Sequence, residues 1–267
     1  MKKILSILIL VFIILIILDF NNIEVMELFG SLAAPDSSEE ASRYQFGVPS
    51  ESTPKPGNSL ITTSITWPFY YEEPGLTIYK EADQSSNYLF VVDPTQKIVN
   101  VQNGWGRLAD QWDKAINPVC VFNGSYYESS GTPTSPLIVD GVVVPGQYTE
   151  DYSFRMLYIT DGRLTVKEIP SNSEVESADA AMSGLEPGGV NGVTNYTVIS
   201  VKDNLLYVSI IQNRSPSQIV ELLTGFGVPE QNIIFLDGGL SSAAECNSEA
   251  LFVRDRIFAN ALVISNP

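Results

Sequence analysis

The chain has 267 residues, of which 44% are hydrophobic and 10% aromatic, a composition that allows a globular fold with a substantial core. Its 31 acidic and 15 basic residues give a formal net charge of −16, which argues against nucleic acid as a partner because phosphates require clustered cations. The chain contains no histidine, which excludes Ser-His-Asp and Cys-His nucleophile systems and histidine-ligated zinc. Any proton transfer must therefore use Asp, Glu, Lys, Tyr or Cys.

The amino-terminal segment, residues 1–20, is typical of an export signal or a membrane anchor. Two lysines precede an apolar run from Ile4 to Leu18 that only Ser6 interrupts. This run is shorter than the roughly 20 residues of a full helical span, but the nearest cleavage-like sequence, at residues 31–33, lies far beyond it. We favour an uncleaved anchor over a cleaved signal. Both alternatives place the remaining chain outside the cytoplasm, with membrane contact through this segment only.

Residues 21–58 are rich in Pro, Ser, Glu and Gly. This composition cannot bury a core and predicts a flexible linker. The folded domain is therefore expected to occupy residues 59–267. Cys120 and Cys246 are the only cysteines, and in an exported chain they are consistent with either a disulfide or two buried thiols.

Most segments of the predicted domain have the pattern of short strands joined by turns. Four stretches place two apolar runs around a turn signal and predict hairpins: 88–102, 135–146, 155–169 and 196–211. We therefore expect a single α+β domain, with a mixed sheet rich in antiparallel hairpins and few helices.

One helix is well marked after these strands. Ser215 is a good N-cap, Pro216 suits the first helical position and Gln218 completes a capping box. The predicted apolar face consists of Ile219, Leu222, Leu223 and Phe226. A weaker helix is predicted over residues 106–115.

Each predicted helix leads into a short apolar strand and then into an Asx-Gly turn. The first strand ends at Asn123 and the second at Asp237. If the two strands are parallel neighbours, both turns emerge at one edge of the sheet, where ligands collect. We therefore expect Asn123 and Asp237 to face one pocket, although each dipeptide taken alone is equally consistent with a structural turn.

Arginines near these turns are candidate phosphate ligands. Arg214 directly precedes the helix cap, and a helix N-terminus stabilises anions. Arg254 and Arg256 alternate along a predicted strand and would share one face. Arginine can hold a phosphate through two parallel hydrogen bonds, although a surface position is the alternative for each.

Taken together, these stretches resemble the phosphodiester glycosidase family. The resemblance rests on "VFNGSYYESSGTP", "IIFLDGGLSSA" and "FANALVI", in that order, and it spans roughly Pro74 to the C-terminus. It implies an exported hydrolase that cleaves the bond from a sugar anomeric carbon to a phosphodiester. The implied partner is a carbohydrate or glycosyl-phosphate substrate, and neither a cofactor nor a metal is expected.

The resemblance also implies roles for the matching residues. Asp237 would act at the anomeric centre, Asn123 would orient the substrate, and Arg214 would neutralise phosphate charge. The residues expected to bind substrate are Gly124, Gly238, Gly239, Ser241, Ser242, Arg256 and Asn260.

Four departures from the family pattern affect the predicted activity. Leu240 replaces a third glycine after the acid, Ser125 replaces a second glycine after the asparagine, and the arginine usual before the strand at 196–201 is absent. The strand that often ends in Asp-Gly-Arg ends here in Gln212, Asn213 and Arg214, so its acid is missing and its arginine is kept. A chain without part of the phosphate clamp would bind carbohydrate without cleaving it. The sequence therefore predicts a glycosyl-phosphodiester hydrolase, with a non-catalytic carbohydrate-binding protein of the cell surface as the alternative.

Overall fold

The structure is a computed structural model, and it describes residues 60–62, 65–82, 86–106, 115–147, 154–169, 175–247, 249–252 and 257–267. Several predicted features lie outside these residues: the signal or anchor at 1–20, the linker at 21–58, most of the weaker helix at 107–114, and Arg254 and Arg256. In the described ranges, no helix has both the length and the apolar character that a membrane span requires.

Two antiparallel β-sheets dominate the described residues. The strands are β1 (Leu60–Thr62), β2 (Ile65–Trp67), β3 (Phe69–Glu73), β4 (Leu76–Lys80), β5 (Tyr88–Val92), β6 (Ile98–Gly106), β7 (Pro118–Asn123), β8 (Leu137–Val139), β9 (Val142–Val144), β10 (Phe154–Thr160), β11 (Arg163–Ile169), β12 (Ala180–Leu185), β13 (Thr194–Lys202), β14 (Leu205–Arg214), β15 (Ile233–Phe235), β16 (Ala244–Cys246), β17 (Glu249–Phe252) and β18 (Phe258–Ser265). The larger sheet has the order β11-β10-β12-β15-β13-β14-β5-β4-β3, with β8 and β9 attached beside β12. The smaller sheet has the order β17-β16-β7-β18-β6, and β1 pairs only with β2.

The main core lies between the two sheets, where apolar side chains of both meet. Phe90 of β5 and Phe122 of β7, which belong to different sheets, pack edge to face with ring centroids 4.8 Å apart. A disulfide joins Cys120 of β7 to Cys246 of β16 at directly paired positions of the smaller sheet. The sequence left open whether these cysteines form a disulfide or are two buried thiols, and the structure shows the disulfide.

The predicted α+β class is wrong, because the described fold is mostly β. Every pairing between described strands is antiparallel, and these residues contain one α-helix, α1 (Pro216–Gly225). Strands β14 and β15, which α1 connects, both pair with β13, so β13 lies between them. The helix-strand pattern therefore marks a crossing over one strand rather than a parallel sheet.

Three of the four predicted hairpins are confirmed: β8–β9, β10–β11 and β13–β14. Their central residues have positive φ angles, as the tight hairpin turns of type I′ require. These residues are Asp140, Gly141, Asp161, Gly162, Asp203 and Asn204. The fourth hairpin, at 88–102, is wrong because β5 lies in the larger sheet and β6 in the smaller one. Asp93 holds the connection instead, accepting hydrogen bonds from the N–H groups of Gln96 and Lys97.

Helix α1 confirms the prediction made from its caps. Ser215 and Gln218 form the reciprocal capping box, with Pro216 as the first helical residue. Gly227 follows the helix with a φ of +80°, a left-handed conformation that favours glycine. The buried face of α1 packs on the outer side of the larger sheet through Ile219, Leu222 and Leu223.

Candidate functional site

The two predicted turns meet at a corner where the sheets converge. The side-chain amide of Asn123, at the end of β7, donates a 2.7 Å hydrogen bond to the main-chain oxygen of Asp237. The main-chain N–H of Asp237 donates a 3.1 Å hydrogen bond to the oxygen of Gly124. The two turns thus meet, although the strands before them are neither parallel nor neighbours. The pocket that both turns were expected to face stays a prediction. We name the residues 123–126 and 237–242 the acidic corner.

Asn123 is a fully buried link between the two sheets. Its Oδ1 accepts hydrogen bonds from Oγ1 of Thr197 on β13, at 2.6 Å, and from the N–H of Ala243, at 2.9 Å. Two donors at Oδ1 and a carbonyl at Nδ2 determine how this amide is oriented. Since the side chain has no exposed surface, it positions the main chain of Asp237 rather than contacting a ligand.

Gly124 and Asn260 are buried against each other. The N–H of Gly124 donates to the main-chain oxygen of Asn260, at 3.1 Å. A Cβ at residue 124 would lie 2.0 Å from Oδ1 of Asn260, so only glycine fits this approach. Asn260 also accepts from the N–H of Ser125 at 2.6 Å and donates to the oxygen of Ser125 at 3.3 Å. Both residues, predicted to bind substrate, therefore hold the segment that supports Asp237.

The acidic turn itself lies at the surface. Asp237, Gly238 and Gly239 are half-buried, and the side chain of Leu240 is 59% exposed. The N–H of Gly238 donates to Oδ1 of Asp237 at 2.9 Å. Gly239 has a φ of +64°, which favours glycine. Asp237 is thus partly exposed on a turn in which two glycines follow it.

A β-bulge in β13 supports this turn from the larger sheet. The register of β13 against β14 shifts between Thr194 and Tyr196, and bulges commonly re-aim side chains next to functional sites. Here the amide of Asn195 donates to the main-chain oxygen of Gly239, at 3.3 Å. A Cβ at Gly238 would lie 2.9 Å from the oxygen of Asn195, which explains the glycine there.

The serine pair after the turn is buried. Ser241 is 3% exposed and Ser242 has no exposed surface. The N–H of Ser241 donates to the oxygen of Gly238 at 3.0 Å and so closes the turn. The hydroxyl of Ser242 has no hydrogen-bond partner among the described residues.

Tyr126 is a member of the corner that sequence reasoning missed. Burial raises the pKa of its hydroxyl, and the negative charge of nearby Asp237 and the Tyr196 hydroxyl raise this pKa further. The phenol is therefore neutral beside a carboxylate. The sequence "NGSYY" contains both Tyr126 and Tyr127, and its pattern does not distinguish them. In the structure the ring of Tyr127 packs instead against the ring of Trp105, with centroids 5.2 Å apart.

Arg214 is held in an internal ion pair. It lies opposite Thr194 in the β13–β14 pairing, and its Nη2 contacts a carboxylate oxygen of Glu81. Glu81 is only 6% exposed and also accepts a 2.7 Å hydrogen bond from the amide of Asn87. Arg214 therefore neutralises a buried acid in this structure.

Two cavities of the described structure lie away from the acidic corner. One, of about 410 Å³, includes the hairpin turns at Asp140 and Gly162 in its walls. The other, of about 570 Å³, lies beside Glu73 and Asp93. Neither contains a predicted site residue, so the corner is identified by its contacts and exposure rather than by its depth. In the described ranges, no group of three or more Cys, Asp or Glu side chains is placed to hold a metal ion.

Comparison with known proteins shows a shared fold. No protein-family model and no curated protein matches the chain. The solved catalytic domain of zebrafish N-acetylglucosamine-1-phosphodiester alpha-N-acetylglucosaminidase, auto-inhibited by its pro-peptide, aligns with a TM-score of 0.57 and 14% identity, over 74% of this chain and 86% of that chain. The chain is thus a distant structural relative of that domain.

Two further solved structures align more weakly. A hypothetical protein from Synechocystis has a TM-score of 0.44 and 8% identity, over 76% of this chain and 62% of that one. A putative exported protein from Burkholderia pseudomallei has a TM-score of 0.41 and 8% identity, over 71% and 74%. These two likenesses are too weak to support an inference.

Proposed function

We propose that the protein is a phosphodiester glycosidase, a hydrolase that cleaves the bond from a sugar anomeric carbon to a phosphodiester. The observation that carries this proposal is the Asp237 carboxylate, half-exposed on a glycine turn whose main chain is held by Asn123 and Gly124. The fold shared with the zebrafish glycosidase domain supports it.

The proposed reaction needs few protein groups. The bond between the anomeric carbon and the phosphate oxygen breaks, and its electron pair leaves with the phosphate. Water supplies the oxygen that replaces it, and the water proton passes to Asp237 and then to solvent. A carboxylate stabilises the oxocarbenium-like centre, as nucleophile or as base, in glycoside hydrolysis generally. Because the phosphate monoester that is released leaves readily as an anion, no histidine acid is required.

The contacts of the corner support the following roles for the predicted residues. Asn123, Gly124 and Asn260 are buried and position the acid. Gly238 and Gly239 form the half-buried surface turn on which a substrate would lie. Ser241 closes that turn through its N–H, and Ser242 is buried beside it in the sequence.

We further propose that the protein acts outside the cytoplasm, on a surface or extracellular glycoconjugate. The amino-terminal segment has the sequence of an export signal or anchor. The Cys120–Cys246 disulfide is consistent with this location, because cytoplasmic thiols are generally kept reduced.

The alternative function is carbohydrate binding without cleavage. Two observations favour it. Arg214, the predicted phosphate ligand, is paired with buried Glu81, and the bulky side chain of Leu240 projects from the acidic turn. Both features reduce the room and the charge for a phosphate group.

The test is release of free sugar from synthetic sugar-1-phosphate diesters with aryl or alkyl aglycones. The full chain, purified in mild detergent, is compared with Asp237→Asn and with Asp161→Asn, the same change in a hairpin turn. We expect hydrolysis by the parent and the control but not by Asp237→Asn. In ¹⁸O-labelled water the label should enter the sugar. Label in the phosphate, or sugar binding without turnover by any of the three proteins, would contradict the proposed function.

A further inference from the structure

The ring of Tyr126 is anchored at the acidic corner. Its side chain packs against the apolar cluster that includes Ile138, Phe154 and Leu185. Its main-chain oxygen accepts a 2.9 Å hydrogen bond from the N–H of Thr134. The position of the ring is thus set by packing on one side and by the main chain on the other.

Ser125, the residue before it, is held even more tightly. Its N–H and its main-chain oxygen both bond to the side chain of Asn260. Its hydroxyl donates to the main-chain oxygen of Ser183 on β12. Since Ser125 also follows Gly124, whose oxygen accepts the N–H of Asp237, Tyr126 and the acid are positioned by one connected set of hydrogen bonds.

The hydroxyl of Tyr126 is the group that this set leaves uncommitted. It forms no hydrogen bond with any described residue, and it belongs to the residue two positions after Gly124, whose oxygen accepts the N–H of Asp237. The charge of Asp237 also raises the pKa of this hydroxyl. The neighbouring hydroxyl of Tyr196 is already used, at 3.0 Å from the oxygen of Asn191 and 3.1 Å from that of Gly192. A half-buried phenol beside an acid is thus placed to donate to a ligand.

Resting on the proposed function, we propose that Tyr126 is a further catalytic residue, which donates a hydrogen bond to a phosphate oxygen of the substrate. The phenol keeps its proton throughout, because burial and Asp237 both disfavour its anion. It therefore stabilises the charge that develops on the departing phosphate as an oxyanion-hole donor does, while Asp237 acts at the anomeric carbon.

The matched variants are Tyr126→Phe and Tyr127→Phe, each of which removes one hydroxyl and keeps the ring. Loss of one such donor lowers kcat by about 100- to 1,000-fold in hydrolases with preformed oxyanion sites. We expect a fall in kcat of at least about 10-fold for Tyr126→Phe, larger for alkyl than for aryl diesters, with KM little changed. Its Tm should equal that of the parent, since no described partner loses a bond. Tyr127→Phe should keep the parent kcat.

Binding gives a second measurement that does not depend on turnover. In the Asp237→Asn background, titration with an alkyl phosphate, the product that carries the developed charge, should show about 10-fold weaker binding when Tyr126→Phe is added. Equal kcat and equal affinity with and without the hydroxyl would overturn the role of Tyr126 alone, provided that the parent hydrolyses diesters. A parent that neither binds nor cleaves any diester would overturn both this inference and the proposed function.

Discussion

The side-chain amide of Asn123 donates a 2.7 Å hydrogen bond to the main-chain oxygen of Asp237, across 114 residues of sequence. Through Thr197 the same side chain also reaches the larger sheet. A single buried amide thus connects the ends of strands from both sheets to the turn that carries the acid. The geometry of the acidic corner depends on this residue more than on any exposed one.

Replacing Asn123 with alanine should destabilise the protein by about 2–4 kcal/mol, because three groups, two of them buried, lose their hydrogen-bond partner. Urea unfolding measures this change in free energy. Asn191→Ala, at an exposed position, should change it by less than about 0.5 kcal/mol. Equal stabilities for the two variants would contradict the linking role of Asn123.

A methyl group at Gly124 should be poorly tolerated. The added Cβ would overlap Asn260, which is buried and held by its own hydrogen bonds. We expect Gly124→Ala to cost about 1–3 kcal/mol, as overpacked cores do. Gly189→Ala is the control, because its Cβ would meet Leu185 at an ordinary 3.7 Å. Equal melting temperatures for the two variants and the parent would contradict the close contact between Gly124 and Asn260.

Arg214 and Glu81 should behave as one structural unit. Arg214→Ala leaves the buried carboxylate of Glu81 without its cation and should cost about 3–5 kcal/mol. The double variant Glu81→Gln, Arg214→Gln removes both charges and should recover much of that loss. If the double variant is stable yet no longer binds diesters, Arg214 is a phosphate ligand as the sequence suggested. If binding survives, its role is structural.

Alkaline pH should weaken the fold through its buried tyrosines. Burial raises the pKa of the hydroxyls of several tyrosines above the ordinary value of 10.0: Tyr71, Tyr79, Tyr126, Tyr158, Tyr196 and Tyr207. Below pH 10 these groups are protonated in both states, so they add no pH dependence. Above pH 10 the unfolded chain ionises first, and stability falls as pH rises.

For Tyr126 alone this loss approaches about 1.4 kcal/mol per pH unit. Urea unfolding at several pH values above 10 should therefore show a shallower decline for Tyr126→Phe than for the parent. Identical slopes would mean that the phenol of Tyr126 ionises as easily in the folded protein as in the unfolded chain.

Breaking the disulfide should also lower stability. Its cysteines are 126 residues apart in sequence, and loss of a native disulfide typically costs 2–5 kcal/mol. The double variant Cys120→Ala, Cys246→Ala should unfold at lower urea concentration than the parent. A reductant should lower the midpoint of the parent but not of the variant. An unchanged parent midpoint under full reduction would contradict a stabilising bridge.

Features with local causes could be predicted from the sequence. The Asp-Gly and Asp-Asn turns require residues that tolerate positive φ, and the cap of α1 requires Ser215 and Gln218 within one turn. Both signals lie within a few residues of the structure they produce. The hairpin expected at 88–102 failed because Asp93 makes a local turn but cannot decide which sheet the next strand joins.

Features with distant causes were missed. The ion pair of Arg214 depends on Glu81, 133 residues away, so the sequence near Arg214 indicates only a helix N-terminus. The meeting of Asn123 and Asp237 was expected for an incorrect reason, since converging antiparallel sheets bring them together. Tyr126 and Tyr127 are neighbours of the same type, and only the three-dimensional packing distinguishes them.

The position of β18 has a consequence for how the protein must assemble. This strand lies between β6 and β7, and in the chain it follows both of them only after strands β8 to β17. Until β18 has emerged during synthesis or translocation, the edges of β6 and β7 that pair with it have no partner strand. These edges can then pair with strands of other chains. A nascent molecule should therefore need shielding by a chaperone until β18 inserts between β6 and β7 and pairs with both.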